Sequence, residues 1–309
     1  MRRCPITYKP IQDGLYSSTG LNKLNTALQK LEPLPFTDRE LVLESQKRMS
    51  KMSIQGVQPK LSARLSVKHS RFEIVDKHGI FILKPNPSHF EQVPENEDVT
   101  MRLASLCGIE TPLHGMVYNK EMKLVYFIRR FDRVGKSGKI HVEDFAQVAG
   151  MTRDTKYNYS MEKVARLIEE YCTFAAVEKL KLFRLTLFSY LTGNEDMHLK
   201  NFSIIHKDGM ISLSPAYDLL NTTIVLANPK EELALPLKGK KSKITKSMLF
   251  RYFGSERLGL NQKVLSGIEE EFESIFQEWI VVVEKCFLSN ELKEKYADLI
   301  HERRKAMGW

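Results

Sequence analysis

The residues best suited to chemistry lie in the segment GNEDMHLKN at positions 193–201 and at Asp218. Asp196 and Asn201 stand five positions apart, and Asp218 follows Asn201 by seventeen. A carboxylate, a carboxamide and a second carboxylate in this order suit phosphoryl transfer. The first Asp accepts the proton of an attacking hydroxyl, while the Asn and the second Asp hold magnesium beside the phosphates of ATP. Asp and Asn are also common turn residues, so this spacing taken alone fits ordinary surface turn chemistry equally well.

These groups need a loop presented by rigid elements. Residues 180–191 form an apolar run long enough for a buried helix, and Gly193 with Asn194 stops it. Downstream, strand-like runs at 202–206 and 211–213 flank Asp208-Gly209, the signal of a tight hairpin. Asp218 comes just after that hairpin, which turns the chain back so that Asn201 and Asp218 can share one cation. Helix, loop, hairpin and Asp occur in the order of a protein-kinase C-lobe.

A phosphotransferase also needs groups for the nucleotide phosphates. Residues 50–60 are polar, and Gly56 within them lets backbone amides approach phosphate oxygens. An alternating run at 61–67 predicts a strand, and the apolar run 80–84 predicts another that ends at Lys84, before Pro85 and Pro87. Lys84 is placed either to meet phosphates or to snorkel from a strand end into water. The stretch 94–108 reads as a helix opened by Pro94 and an acidic turn and closed by Gly108. A Glu of that turn can pair with Lys84, or the turn can simply complement the helix dipole. Residues 122–133 predict a strand that runs into a charged segment, the place for a hinge.

The remaining patterns predict further helices. A capping box with a hydrophobic staple at 36–41 starts a helix at Asp38. Helices are expected over 161–172, 262–287 and 292–307, with Val264, Leu265, Ile268, Phe272, Ile275, Phe276 and Trp279 facing the core. The chain of 309 residues thus divides into 1–133, mixed strand with one or two helices, and 134–309, largely helical.

Six motifs together give a resemblance. SIQGVQPKL at 53–61, FILKP at 81–85, PENE at 94–97, FIRRFDR at 127–133, GNEDMHLKNFS at 193–203 and SPAYDLL at 214–220 resemble, in order, those of the HipA family of serine/threonine kinase toxins. The resemblance implies an α+β, two-lobed protein-kinase-like fold, with a mixed N-lobe built on a β-sheet and a mainly helical C-lobe. The phosphate loop is reached by Ser53, which resembles the short HipT branch. There a separate HipS protein supplies the missing subdomain, and HipB is the DNA-binding partner.

By the same resemblance, Lys84 binds the ATP phosphates, and Arg129 and Phe131 lie at the adenine-side hinge, Arg129 replacing a Glu of some relatives. Asp196 is the catalytic base, Asn201 and Asp218 hold Mg²⁺, and His198 lies near the nucleotide or bonds locally within the loop. Gly56 belongs to the phosphate loop, and Ser53 is the autophosphorylated serine; Gln55 stands where many relatives have a second one. The implied substrate is a protein, an aminoacyl-tRNA synthetase, whose modification arrests growth. A small-molecule kinase and a catalytically idle kinase-like binding protein are the rival readings. Retention of Lys84, Asp196, Asn201 and Asp218 argues against the idle binder.

Composition sets the remaining expectations. The four cysteines lack the spacing of a zinc site and suit a reducing compartment. Arg2 and Arg3 precede no apolar run, and no segment has the roughly twenty apolar residues of a membrane span. A cytoplasmic protein is expected, with export into another cell left open. The net charge of +9 offers a basic face to tRNA or to a partner's DNA. The densest cluster, residues 238–243, reads as a solvated loop, and no direct specific nucleic-acid binding is expected.

Overall fold

The computed structural model describes residues 2–48, 58–135, 138–152, 154–226 and 229–309. Ser53, Gln55 and Gly56 lie outside the described residues. Two units are distinguishable: Met1–Val99 with Pro112–Gly138 and Lys285–Leu288, and Thr100–Thr111 with Lys139–Glu284 and Ser289–Trp309.

In the first unit, helices α1 (Ser18–Leu24) and α2 (Asp38–Arg48) precede the strands β1 (Leu61–Ser66), β2 (Arg71–Ile74) and β3 (Phe81–Lys84). The expected capping box opens α2. Thr37 Oγ1 accepts from the Glu40 amide at 3.2 Å, and the Glu40 carboxylate accepts from the Thr37 amide at 2.7 Å. Helix α3 (Val93–Leu106) follows and passes into the second unit at Thr100. Strands β4 (His114–Tyr118), β5 (Leu124–Arg129) and the two-residue β6 (Arg133–Val134) belong to the first unit again, and the partner of β6, β7 (Gly138–Lys139), lies at the boundary. The five-stranded sheet runs β2-β1-β3-β5-β4, with every neighbouring pair antiparallel. Phe72, Phe81 and Phe127 pack as an aromatic cluster on it, Phe72 lying 5.1 Å from Phe81 and 5.4 Å from Phe127 between centroids. β3 takes the central place, with Phe81, Leu83 and Lys84 all buried.

In the second unit, β8 (His141–Asp144) leads into α4 (Phe145–Val148), followed by α5 (Met161–Tyr171) and α6 (Ala175–Leu191). Next come the hairpin β9 (Ser203–Lys207) and β10 (Met210–Leu213), a π-helix (Ser247–Arg257), α7 (Gln262–Ser274), α8 (Phe276–Lys285) and α9 (Asn290–Ala306). Asp208 and Gly209 both have positive φ, +52° and +74°, as the predicted Asp-Gly hairpin turn demands. Strand β8 was not legible beforehand; it pairs antiparallel with β9, giving a sheet of order β10-β9-β8.

Two expected helix boundaries change. Helix α6 begins at Ala175 rather than 180: its first turn exposes Ala176 and Val177, so no apolar run marks it, and its buried Glu178 accepts from the Leu213 amide at 2.9 Å. The single helix expected over 262–287 is two, divided at Ile275. The Ser274 hydroxyl takes the Glu271 carbonyl at 2.8 Å, in competition with the helix ladder. Apolar spacing continues across the break, so periodicity could not reveal it. Trp279 is buried all the same, between Phe188, Phe272 and Phe276.

Candidate active site

The loop after α6 is shaped by backbone geometry. Gly193 has φ +65°, and a Cβ there would come within 2.5 Å of Leu299 Cδ2 and 2.6 Å of Thr223 Oγ1. Gly193→Ala is therefore expected to destabilise the second unit by about 1–3 kcal/mol through strain and overpacking. Urea denaturation measures it; an unchanged midpoint would contradict the close approach.

Beyond Gly193 the peptide of Asp196 is held from both sides. Its amide donates to Asn194 Oδ1 at 3.1 Å, and its carbonyl accepts from Asn201 Nδ2 and the His198 amide, each at 2.8 Å. A 3₁₀ turn at Leu199–Asn201 completes the loop. The Asp196 side chain itself remains 47% exposed. With the amide of Asn201 committed to the Asp196 carbonyl, its side-chain oxygen is the atom able to meet a cation.

The segment 214–223 embraces this loop at both ends. The Tyr217 hydroxyl bonds the Lys200 carbonyl at 2.9 Å and Ser203 Oγ at 2.6 Å. The amides of Thr222 and Thr223 both donate to the Gly193 carbonyl, at 3.0 and 3.2 Å, and their hydroxyls add two more bonds to it. Asp218 sits between these anchors in the left-handed region, φ +55°, a conformation uncommon for a residue other than glycine. The charges of Asp196 and Asp218 both act on the His198 imidazole. Nothing periodic or motif-like in Thr222 and Thr223 advertised this bracket.

Two further residues reach the loop and escaped the sequence reading. The Tyr157 hydroxyl donates to Asp196 Oδ1. Burial and the Asp196 carboxylate push the Tyr157 phenol above its ordinary range, so it stays protonated as a donor. Lys156 Nζ lies 2.6 Å from His198 Nε2, and the rings of Tyr157 and His198 meet edge to face at 5.0 Å. Burial pushes His198 below the ordinary histidine range; Lys156 works in the same direction, while Asp196 and Asp218 oppose it. The hydrogen bond of the imidazole is to Lys156, 42 positions away in the sequence, and not to a group of its own loop. Lys156 and Tyr157 sit in a polar stretch without a pattern that would single them out.

In the first unit, Lys84 ends β3 and is buried to 1% exposure. Its ammonium donates to Glu97 Oε1 of α3 at 2.5 Å and lies 5.4 Å from the centre of the Tyr126 ring. Of the acidic residues opening α3, Glu97 is thus the partner, and Glu95 is not bonded in this way. Arg129, exposed, closes β5, and Phe131 follows two residues later, half-buried.

Residues 52–280 match the HipA-like C-terminal domain. The chain belongs to this family. A Haemophilus influenzae protein provisionally named a kinase is 29% identical over 312 residues, covering 90% of this chain and 88% of its own. The serine/threonine-protein kinase toxin HipA of Shewanella oneidensis is 28% identical over 190 residues, covering 55% of this chain and 43% of the toxin. The solved structure of Shewanella oneidensis HipA with HipB and operator DNA matches with a TM-score of 0.70 at 22% identity, over 91% of this chain and 74% of that one. The Helicobacter pylori proinflammatory kinase CtkA matches with a TM-score of 0.55 at 14% identity, over 74% and 87%. The fold is that of these kinases, a mixed sheet with helices.

Within this HipA-like domain Glu95 has a separate, pH-dependent effect. Burial, joined by the charges of Asp38 and Asp98, pushes its carboxyl from 4.5 up to about 7. Because the folded value lies above the unfolded one, its contribution to stability is full below about pH 4.5 and is lost as pH rises through about 7. Glu95→Gln is expected to flatten the stability profile between pH 5 and 8 and to be relatively more stable at the upper end. Denaturation at both pH values tests this; parallel profiles for the two proteins would refute it.

Proposed function

We propose that this HipA-like domain is an ATP-dependent serine/threonine protein kinase acting as a growth-arresting toxin. The buried Lys84–Glu97 ion pair carries the reading. A lysine at the end of a central strand, held by a helix glutamate, is the phosphate-binding device of protein kinases, and an idle binder has no need of two buried charges.

The residues divide the work by their chemistry. Glu97 orients the Lys84 ammonium toward nucleotide phosphates, and Arg129 and Phe131 receive the adenine. Asp196, steadied by Tyr157, accepts the hydroxyl proton. The side-chain oxygen of Asn201 and the Asp218 carboxylate are hard oxygen donors that fit Mg²⁺. When bound, the ion neutralises charge on the phosphate oxygens. Ser53 is the proposed site of self-phosphorylation, near Gly56 of the phosphate loop.

A protein substrate, an aminoacyl-tRNA synthetase, follows from the family of toxins. HipB-like and HipS-like partners and the short HipT-like branch follow from the same resemblance. Among the described residues no helix is long and apolar enough to cross a membrane, and action in the cytoplasm is part of the proposal. Incubation of the purified protein with Mg²⁺, γ-labelled ATP and a cell lysate tests the substrate class. A discrete labelled band in the synthetase mass range is expected. Label confined to small metabolites would favour a small-molecule kinase, and no transfer at all would favour the binding protein.

A further inference from the structure

Away from the catalytic loop, on the three-stranded sheet, strand alternation places His141 and Glu143 on the same face of β8. The register sets His141 directly opposite His206 on β9. The two imidazoles meet edge to face with centroids 4.6 Å apart. Glu143 Oε2 lies 3.0 Å from His141 Nε2 and 3.5 Å from His206 Nε2. One donor atom from each of the three residues falls within 4.8 Å of the others. His206 Nε2 is shielded from solvent and has no hydrogen-bond partner among the described residues.

We propose that His141, Glu143 and His206 form a site for a divalent transition metal, with Zn²⁺ the best match. Ligands about 2.0–2.1 Å from zinc in tetrahedral array stand about 3.3 Å from one another. The Glu143 distances already bracket that spacing, so small side-chain rotations, the largest available to exposed His141, complete the site and water fills the fourth place. Two imidazoles and one carboxylate select zinc, nickel or copper over Mg²⁺, which prefers oxygen donors. The site is therefore chemically distinct from Asn201 and Asp218. A bound ion would clamp β8 to β9, the strand that begins two residues after Asn201.

The test uses tag-free protein stripped of metal with EDTA, exchanged into buffer containing excess Mg²⁺ and titrated with ZnCl₂ by calorimetry. One zinc per chain and a rise in Tm are expected. His141→Ala and His206→Ala, checked for native circular dichroism, should each weaken binding by at least about tenfold and cancel the Tm rise. His141 is mostly exposed, so its replacement leaves the fold intact. Substitution of Co²⁺ should give the visible absorption of a tetrahedral site, lost in both variants. Absence of saturable zinc binding, or binding undiminished in both variants, would overturn the assignment and leave a His141–Glu143 hydrogen bond beside His206. Neither result depends on the kinase activity.

Discussion

Asp196→Asn is expected to remove phosphoryl transfer, by about 10²–10⁴-fold or more, while the protein stays folded. The separation of chemistry from stability follows from how the residue is held. Its fixed bonds, to Asn194, His198 and Asn201, run through its backbone amide and carbonyl, which the substitution keeps. Its side chain is 47% exposed, and its oxygen accepts from Tyr157, a bond that the Asn oxygen can also accept. What disappears is the basic carboxylate. Asp218→Asn makes a matched control, because Asn tolerates the left-handed backbone at φ +55° while the carboxylate charge is lost. Single-turnover transfer from γ-labelled ATP, beside thermal unfolding, measures both properties. Normal transfer by Asp196→Asn would end the assignment of this residue as the base.

The second large effect concerns the Lys84–Glu97 pair. Lys84→Met leaves Glu97 buried without its cation, and Glu97→Gln leaves the Lys84 ammonium without its anion. Each is expected to cost about 3–5 kcal/mol, because each removes one member of an ion pair whose side chains are almost fully buried. The double variant Lys84→Met with Glu97→Leu removes both charges together and should recover most of that loss, since apolar replacement of a buried pair is often neutral. It should nonetheless remain inactive, having lost the cation for the phosphates. Urea denaturation and the transfer assay together divide the roles. A double variant that is stable and active would make the pair purely structural, and single variants as stable as the parent would contradict its burial.

Much of the local architecture was legible. The Thr37–Glu40 box, the Asp208-Gly209 turn and the stop at Gly193 each depend on a few adjacent residues whose side chains or backbone preferences act on their own segment. The same holds for β1 and β3, whose apolar patterns predicted strands at close to the observed limits. Asp196, Asn201 and Asp218 could be named together because their spacing is short enough to be read as a motif.

Partner choice was not legible. Glu95 and Glu97 are equivalent in the sequence, yet Glu97 meets Lys84 while Glu95 is left to raise its own proton affinity. Tyr157 bonds a residue 39 positions away, and Thr222 reaches back 29 to Gly193. β8 is too short and charged to announce itself, and becomes a strand only when β9 is beside it. Turns, caps and strand patterns are set by interactions within one or two turns of chain. Which helix glutamate takes a strand lysine, and which loops close on Asp196, depends on the packing that folds distant segments together, and no short window of residues contains that information.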